Sequence, residues 1–148
     1  MKTVEKVGAF VIRRSPNGAA KLLLFSHVDH PAAPIQIPGG TIDPGETPDE
    51  ALLRELKEES GLEGLPILRK IGISEVPWND VLLRRHCYLL DGTGLPDTWN
   101  HAVTGGGEDQ GLTFAYAWHA IAPSFTLSGD CTHFLNPQSI PELYQNHP

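Results

Sequence analysis

Residues 47–62, TPDEALLRELKEESGL, specify a helix together with both of its ends. Thr47 is a good N-cap, and Glu50 three residues later completes a capping box. Pro48 falls at the first helical position, where a missing N–H costs nothing. Ala51, Leu52, Leu53, Leu56 and Lys57 are good helix formers, and Gly61 can take the left-handed conformation that stops a helix. The segment Pro48 to Ser60 is therefore predicted helical.

The same helix carries Glu55, Glu58 and Glu59. Projected at 100° per residue with Glu55 at zero, Glu59 falls at about +40° and Glu58 at about −60°. Leu52 and Leu56 fall at about +60° and +100° on the same wheel. The three glutamates thus overlap the edge of the apolar face. Like charges three and four residues apart destabilise a helix, and partial burial raises the cost. A hard cation with oxygen ligands would offset it. The competing reading is a solvated face laced by Glu50–Arg54 and Arg54–Glu58 pairs.

The rest of the chain reads mainly as strands. Val4 to Arg13 and Lys21 to His27 carry continuous apolar runs joined by the turn Ser15-Pro16-Asn17-Gly18, which suits a hairpin. Ile35 to Ile37 is a short extended piece. Pro66 to Val76 and Val81 to Leu90 read as strands separated by Pro77-Trp78-Asn79-Asp80. Gly111 to Ile121 reads as another, with Phe114, Tyr116 and Trp118 alternating. Ile140 to Asn146 reads as a short helix. Several strands around one strong helix, without regular βαβ alternation, give an α+β class with a mixed sheet.

A length of 148 residues fits one domain, 1–148. Cys87 and Cys131 form no metal or disulfide framework, which suits a reduced, cytoplasmic chain. The chain shows neither a signal-peptide pattern nor an apolar run long enough to span a membrane. A formal net charge of −7 argues against non-specific nucleic-acid binding. It still permits a polyphosphate substrate, provided that cations stand between the two sets of negative charge.

Read from Gly40, the segment is G-x5-E-x7-R-E-U-x-E-E-x-G-U, with U a large aliphatic residue. The matching positions are Gly40, Glu46, Arg54, Glu55, Leu56, Glu58, Glu59, Gly61 and Leu62. This resembles the complete Nudix box, and Pro38-Gly39 resembles the usual approach to it. The resemblance implies an α/β/α sandwich around a mixed sheet. It also implies a hydrolase that uses Mg²⁺ or Mn²⁺ and water to split the diphosphate linkage of a nucleoside diphosphate joined to a moiety X.

By the same resemblance Glu58 and Glu59 are metal ligands, and Glu55 is a further ligand or the general base. The backbone carbonyl of Gly39 or Gly40 completes the coordination, and Arg54 orients the glutamates. Glu108, in GGGEDQG, is the candidate acid from outside the box, favoured over Asp109. Trp78 and Trp99, read as loop residues, are candidates for stacking on a base, Trp78 foremost. Pro77 lies close to where ADP-ribose-cleaving members carry a proline. The basic pairs Arg13-Arg14, Arg69-Lys70 and Arg84-Arg85 read as solvated strand ends, and the seven histidines as incidental. A second long C-terminal helix is usual in the family, but residues 124–148 do not show one. A non-catalytic nucleotide-binding or sensing domain on the same fold is the alternative function. Many members of the family dimerise, so a homodimer is compatible with the resemblance.

Overall fold

The computed structural model describes residues 1–16, 18–107, 109–122, 125, 127 and 129–145. In chain order the elements are β1 (Lys2–Ser15), β2 (Gly18–His27), β3 (Gly39–Thr41), α1 (Pro48–Ser60), β4 (Ile67–Trp78), β5 (Val81–Asp91), β6 (Thr98–Ala102) and β7 (Thr113–His119). Two 3-10 segments follow, Gly129–Phe134 and Pro141–Leu143. Among the described residues the seven strands form one sheet in the order β4-β5-β1-β2-β7-β6, with β3 paired to β1. β1 lies parallel to β5 and antiparallel to β2 and β3, so the sheet is mixed as expected.

β1 explains why its apolar run is continuous. Val7, Ala9 and Val11 pack toward α1, with Leu23, Phe25, Leu52, Leu56 and Tyr116. Phe10 and Ile12 pack on the other face, with Leu22, Leu24, Leu89, Phe134, Ile140 and Leu143. A strand covered on both sides needs no polar alternation. The second cover is not a long helix. It is made of the two 3-10 segments and the chain between them, and the expected helix from Ile140 shrinks to Pro141–Leu143. Asn146, at the end of that expectation, lies outside the described residues, as does Asn17 of the first turn.

α1 has the expected bounds. Thr47 Oγ1 accepts from the Glu50 N–H at 3.2 Å, and the Glu50 carboxylate accepts from the Thr47 N–H at 2.9 Å. Gly61 ends the helix with φ 78°, its N–H donating to the Lys57 carbonyl. The buried side is formed by Ala51, Leu52, Leu56, Glu59 and Ser60, which places one glutamate inside the apolar face.

Three strand features differ most from expectation. β4 continues through Pro77 and Trp78, so the β4–β5 turn is Asn79-Asp80 alone, with φ of 46° and 63°. A two-residue turn with both φ positive matches the twist of a hairpin, and a proline is tolerated because β4 is the sheet edge. β6 was unforeseen. It is a five-residue edge strand paired with β7, and Trp99 lies within it rather than in a loop. Gly39–Thr41 was unforeseen as a strand, yet it pairs with residues 6–8 of β1 and so fixes the entry to α1.

The cap is open to test. Thr47→Ala removes one arm of the capping box and should lower unfolding stability by about 1 kcal/mol, read from denaturant midpoints at unchanged m-value.

Candidate functional site

Arg54 gathers the acids. Its guanidinium forks onto Glu46 at 2.7 and 2.8 Å, reaches Glu55 at 2.9 Å and Glu58 at 3.1 Å, and donates to the Thr41 carbonyl at 3.0 Å. Those contacts occupy all of the donors that a guanidinium has. Of the competing surface pairs, Arg54–Glu58 is present, while Glu50 serves the cap instead. The pairing with Arg54, helped by the Asp43 N–H, pulls the Glu46 carboxyl from 4.5 down to about 2. Glu55 moves the other way, because burial outweighs its contact with Arg54.

Glu59 is the most enclosed of the three helix acids, 7% exposed. Its carboxylate accepts from the Gly39 N–H at 3.0 Å. Burial nevertheless pushes its pKa from 4.5 to about 8, with the charges of Glu55 and Asp109 adding to the rise and Arg85 opposing it. Close approach explains the glycines. A methyl group at Gly40 would overlap the Glu55 carboxylate, and one at Gly105 would overlap that of Glu58.

The last turn of α1 is held from the adjoining strands and loop. The Glu58 carbonyl accepts from the Thr104 N–H at 3.1 Å and from His101 Nε2 at 3.0 Å. A carbonyl can only accept, so that histidine carries its proton on Nε2. The Tyr116 hydroxyl donates to the Glu59 carbonyl at 2.9 Å, and Trp99 Nε1 to the Ser60 carbonyl at 3.0 Å. Trp99 also stacks on Tyr116 with ring centroids 5.0 Å apart. Helix C-termini leave their last carbonyls without intrahelical partners, and here β6, β7 and Thr104, just past β6, supply donors. His101 was read as incidental and Trp99 as a base-stacking candidate. An edge strand running past a helix end was the missing information.

These parts enclose a cavity of about 530 Å³ whose walls include Asp43, Arg54, Glu55, Glu58, Glu59, Gly40 and Asp109. Lys6 of β1 also lines it. Gly39 adjoins it through the Glu59 contact. Trp78 is not part of this wall. It is 61% exposed at the end of β4. Glu108 lies outside the described residues, and its neighbour Asp109 is the described acid that the 105–111 loop brings to the cavity. One member of each basic pair is engaged away from the cavity, Arg13 with Asp97, Arg69 with Glu142, and Arg84 with Glu5 and Glu75, whereas Arg85 lies beside Gly39.

The donor set suits a hard divalent cation: carboxylates on one helix edge, a backbone carbonyl at Gly40, and an acid from the facing loop. Among the described residues no three of these side chains already converge on one point. Glu55 and Glu58 turn toward Arg54, and Glu59 toward Gly39. Binding a cation therefore requires Glu55 and Glu58 to rotate away from the guanidinium, and Glu59 to release its proton.

The model of the NUDIX domain matches residues 4–119. The chain belongs to the NUDIX family. A putative 8-oxo-dGTP diphosphatase of Bacillus subtilis (strain 168) is 40% identical over 70 residues, which are 47% of this chain and 44% of that one. Diphosphoinositol polyphosphate phosphohydrolase 3-alpha of Mus musculus is 35% identical over 84 residues, 57% of this chain and 49% of that one. The chain thus spans about half the length of the curated relatives it matches. Among solved structures, a MutT/nudix family protein from Enterococcus faecalis superposes with a TM-score of 0.60 at 20% identity, covering 88% of this chain and 49% of the other. That likeness is one of fold. This NUDIX chain has no helix, among the described residues, long and apolar enough to cross a membrane.

The protonation of Glu59 has a measurable consequence. Its contribution to stability is fully present below pH 4.5, where the carboxyl is protonated folded and unfolded alike. It declines as the unfolded chain ionises and is lost once the pH passes about 8. In metal-free buffer the wild-type melting temperature should fall across that window relative to Glu59→Gln. Parallel curves would show that Glu59 ionises normally.

Proposed function

We propose that this protein is a divalent-metal-dependent hydrolase of phosphoanhydrides, acting on a nucleotide-type substrate by attack of water on phosphorus. The observation that carries this reading is the convergence of Glu55, Glu58, Glu59, Arg54 and Gly40 on one cavity beside a glycine-rich loop. Glu58, Glu59 and the Gly40 carbonyl would hold Mg²⁺ or Mn²⁺, with Glu55 beside them left to act as the base. The cation supplies neutralisation of phosphate oxygens and a lowered pKa for an attacking water.

The protein's own groups do the rest. Arg54 holds the Glu55 and Glu58 carboxylates in place from one side of the helix. Glu55 takes the proton from water, since burial brings its pKa closer to neutral, where a general base is most effective. The P–O bond of the anhydride then breaks, and the leaving phosphate departs with the bridging oxygen. Gly39 donates its N–H to the Glu59 carboxylate and lets substrate approach the backbone. Asp109, and Glu108 beside it in sequence, supply the acid from outside the helix.

The names of the relatives support the reaction class more than a single substrate. One is named for a nucleoside triphosphate and the other for an inositol polyphosphate, and linked phosphates are what those substrates share. A diphosphate linkage between a nucleoside and a moiety X is our reading for this chain. Trp78 sits four residues along the sheet face from the row Lys6–Arg85–Ser74, in the row Lys2–Val81–Trp78. That is about 13 Å at strand rise, so Trp78 would meet the far end of an extended substrate.

The test is a Mg²⁺ hydrolysis panel of ADP-ribose, diadenosine polyphosphates, NADH, nucleotide sugars, and normal and oxidised nucleoside triphosphates. Wild type should turn over at least one class, and Glu58→Gln should lower that kcat by a factor of about 10² or more. No turnover of any compound, with nucleotides still raising the melting temperature, would instead indicate a binding domain.

A further inference from the structure

We infer that Lys6 is a phosphate-anchoring residue that sets how many linked phosphates the site accepts. This rests on the phosphoanhydride reading above and assigns a role to a residue outside the glutamate helix. Lys6 and Arg54 are the cations among the described residues that line the cavity, and they are in opposite situations. Arg54 spends all of its donors on Glu46, Glu55, Glu58 and the Thr41 carbonyl, and keeps those to Glu46 and Thr41 even when Glu55 and Glu58 turn away. Lys6 faces the same acidic cavity, half-buried, and has no hydrogen-bond or ion-pair partner among the described residues.

A lysine placed to pair with protein carboxylates would have found one here. The position of Lys6 explains why it has not. It lies opposite Thr41 of β3, one residue from Gly40, and opposite Arg85 of β5. The Arg85 guanidinium lies beside Gly39 and donates to the Val7 carbonyl at 3.0 Å. Lys6 therefore stands across the Gly40 backbone from the Glu55 carboxylate, on the side the helix acids do not occupy.

A phosphate held at the glutamates leaves its anhydride neighbour to be neutralised by something else, and a flexible ammonium acts there as a point-charge anchor. The substrate then runs from the helix edge across Gly40 to Lys6. A chain of three linked phosphates, or two with a further anionic group, uses Lys6 fully. A substrate with its only charges at the helix edge does not. Lys6 touches substrate without exchanging a proton, so it acts on binding more than on the bond-breaking step.

The experiment compares wild type, Lys6→Met, Lys6→Arg and Lys57→Met. The last removes an equal charge from the exposed helix side, where Lys57 pairs with Glu63. KM and kcat are measured on the panel in Mg²⁺, and affinity for inorganic tripolyphosphate by calorimetry in Mg²⁺. Lys6→Met should raise KM and weaken tripolyphosphate by about tenfold while kcat changes little. Lys6→Arg should recover most of the loss, and Lys57→Met should match wild type. If wild type hydrolyses a phosphoanhydride and Lys6→Met leaves both KM and tripolyphosphate affinity unchanged, the anchor is overturned and the proposed function stands. If wild type hydrolyses nothing, the proposed function fails, and tripolyphosphate affinity alone then supports or overturns the anchor.

Discussion

The contact between Arg54 and its surrounding acids is the interaction on which the site depends. Glu55 and Glu58 stand on one edge of a helix whose inner side is core, and Glu46 joins them from the preceding loop. Without a cation among them, their repulsion in a partly dry setting would oppose both the helix and its seat on the sheet. The guanidinium provides that cation and fixes the direction of each carboxylate. It also leaves them under tension, since Glu55 remains raised and Glu59, beyond its reach, is raised further.

The fold makes the arrangement rigid from the other side. The carbonyls of Glu58, Glu59 and Ser60 are fastened to residues 99–116, so the acids sit on backbone that is anchored at the sheet edge. β3 performs the equivalent task for Gly39 and Gly40 through its pairing with β1. The site therefore lies where helix end, sheet edge and glycine loop meet, and its precision depends on long-range contacts rather than on the helix alone.

The helix was legible because its determinants are local. Thr47, Pro48, Glu50 and Gly61 each act within a turn of their own position, and the glutamates' angular placement follows from spacing alone. The apolar runs of β1 and β2 were legible because burial on both faces removes alternation. β6 was not, since TWNHA gains its order from pairing with β7 and from the stacking of Trp99 on Tyr116. Pro77 and Trp78 read as breakers because an edge position, which tolerates proline, is a property of the assembled sheet. His101 and Lys6 gave no signal for the same reason: one acts on a carbonyl 43 residues away in sequence, and the other faces a cavity that exists only once β3 has paired.

If the helix acids form a cation site, Arg54 holds its geometry in reserve. Direct titration of the metal-free protein with Mn²⁺, followed by electron paramagnetic resonance, tests it without requiring a substrate. The account predicts saturable binding that strengthens as the pH rises toward about 8, where Glu59 loses its proton, and that is largely lost in Glu58→Gln and Glu59→Gln. Equal Mn²⁺ binding in wild type and both variants would contradict it, and would leave the three glutamates as a charged helix edge held by an arginine.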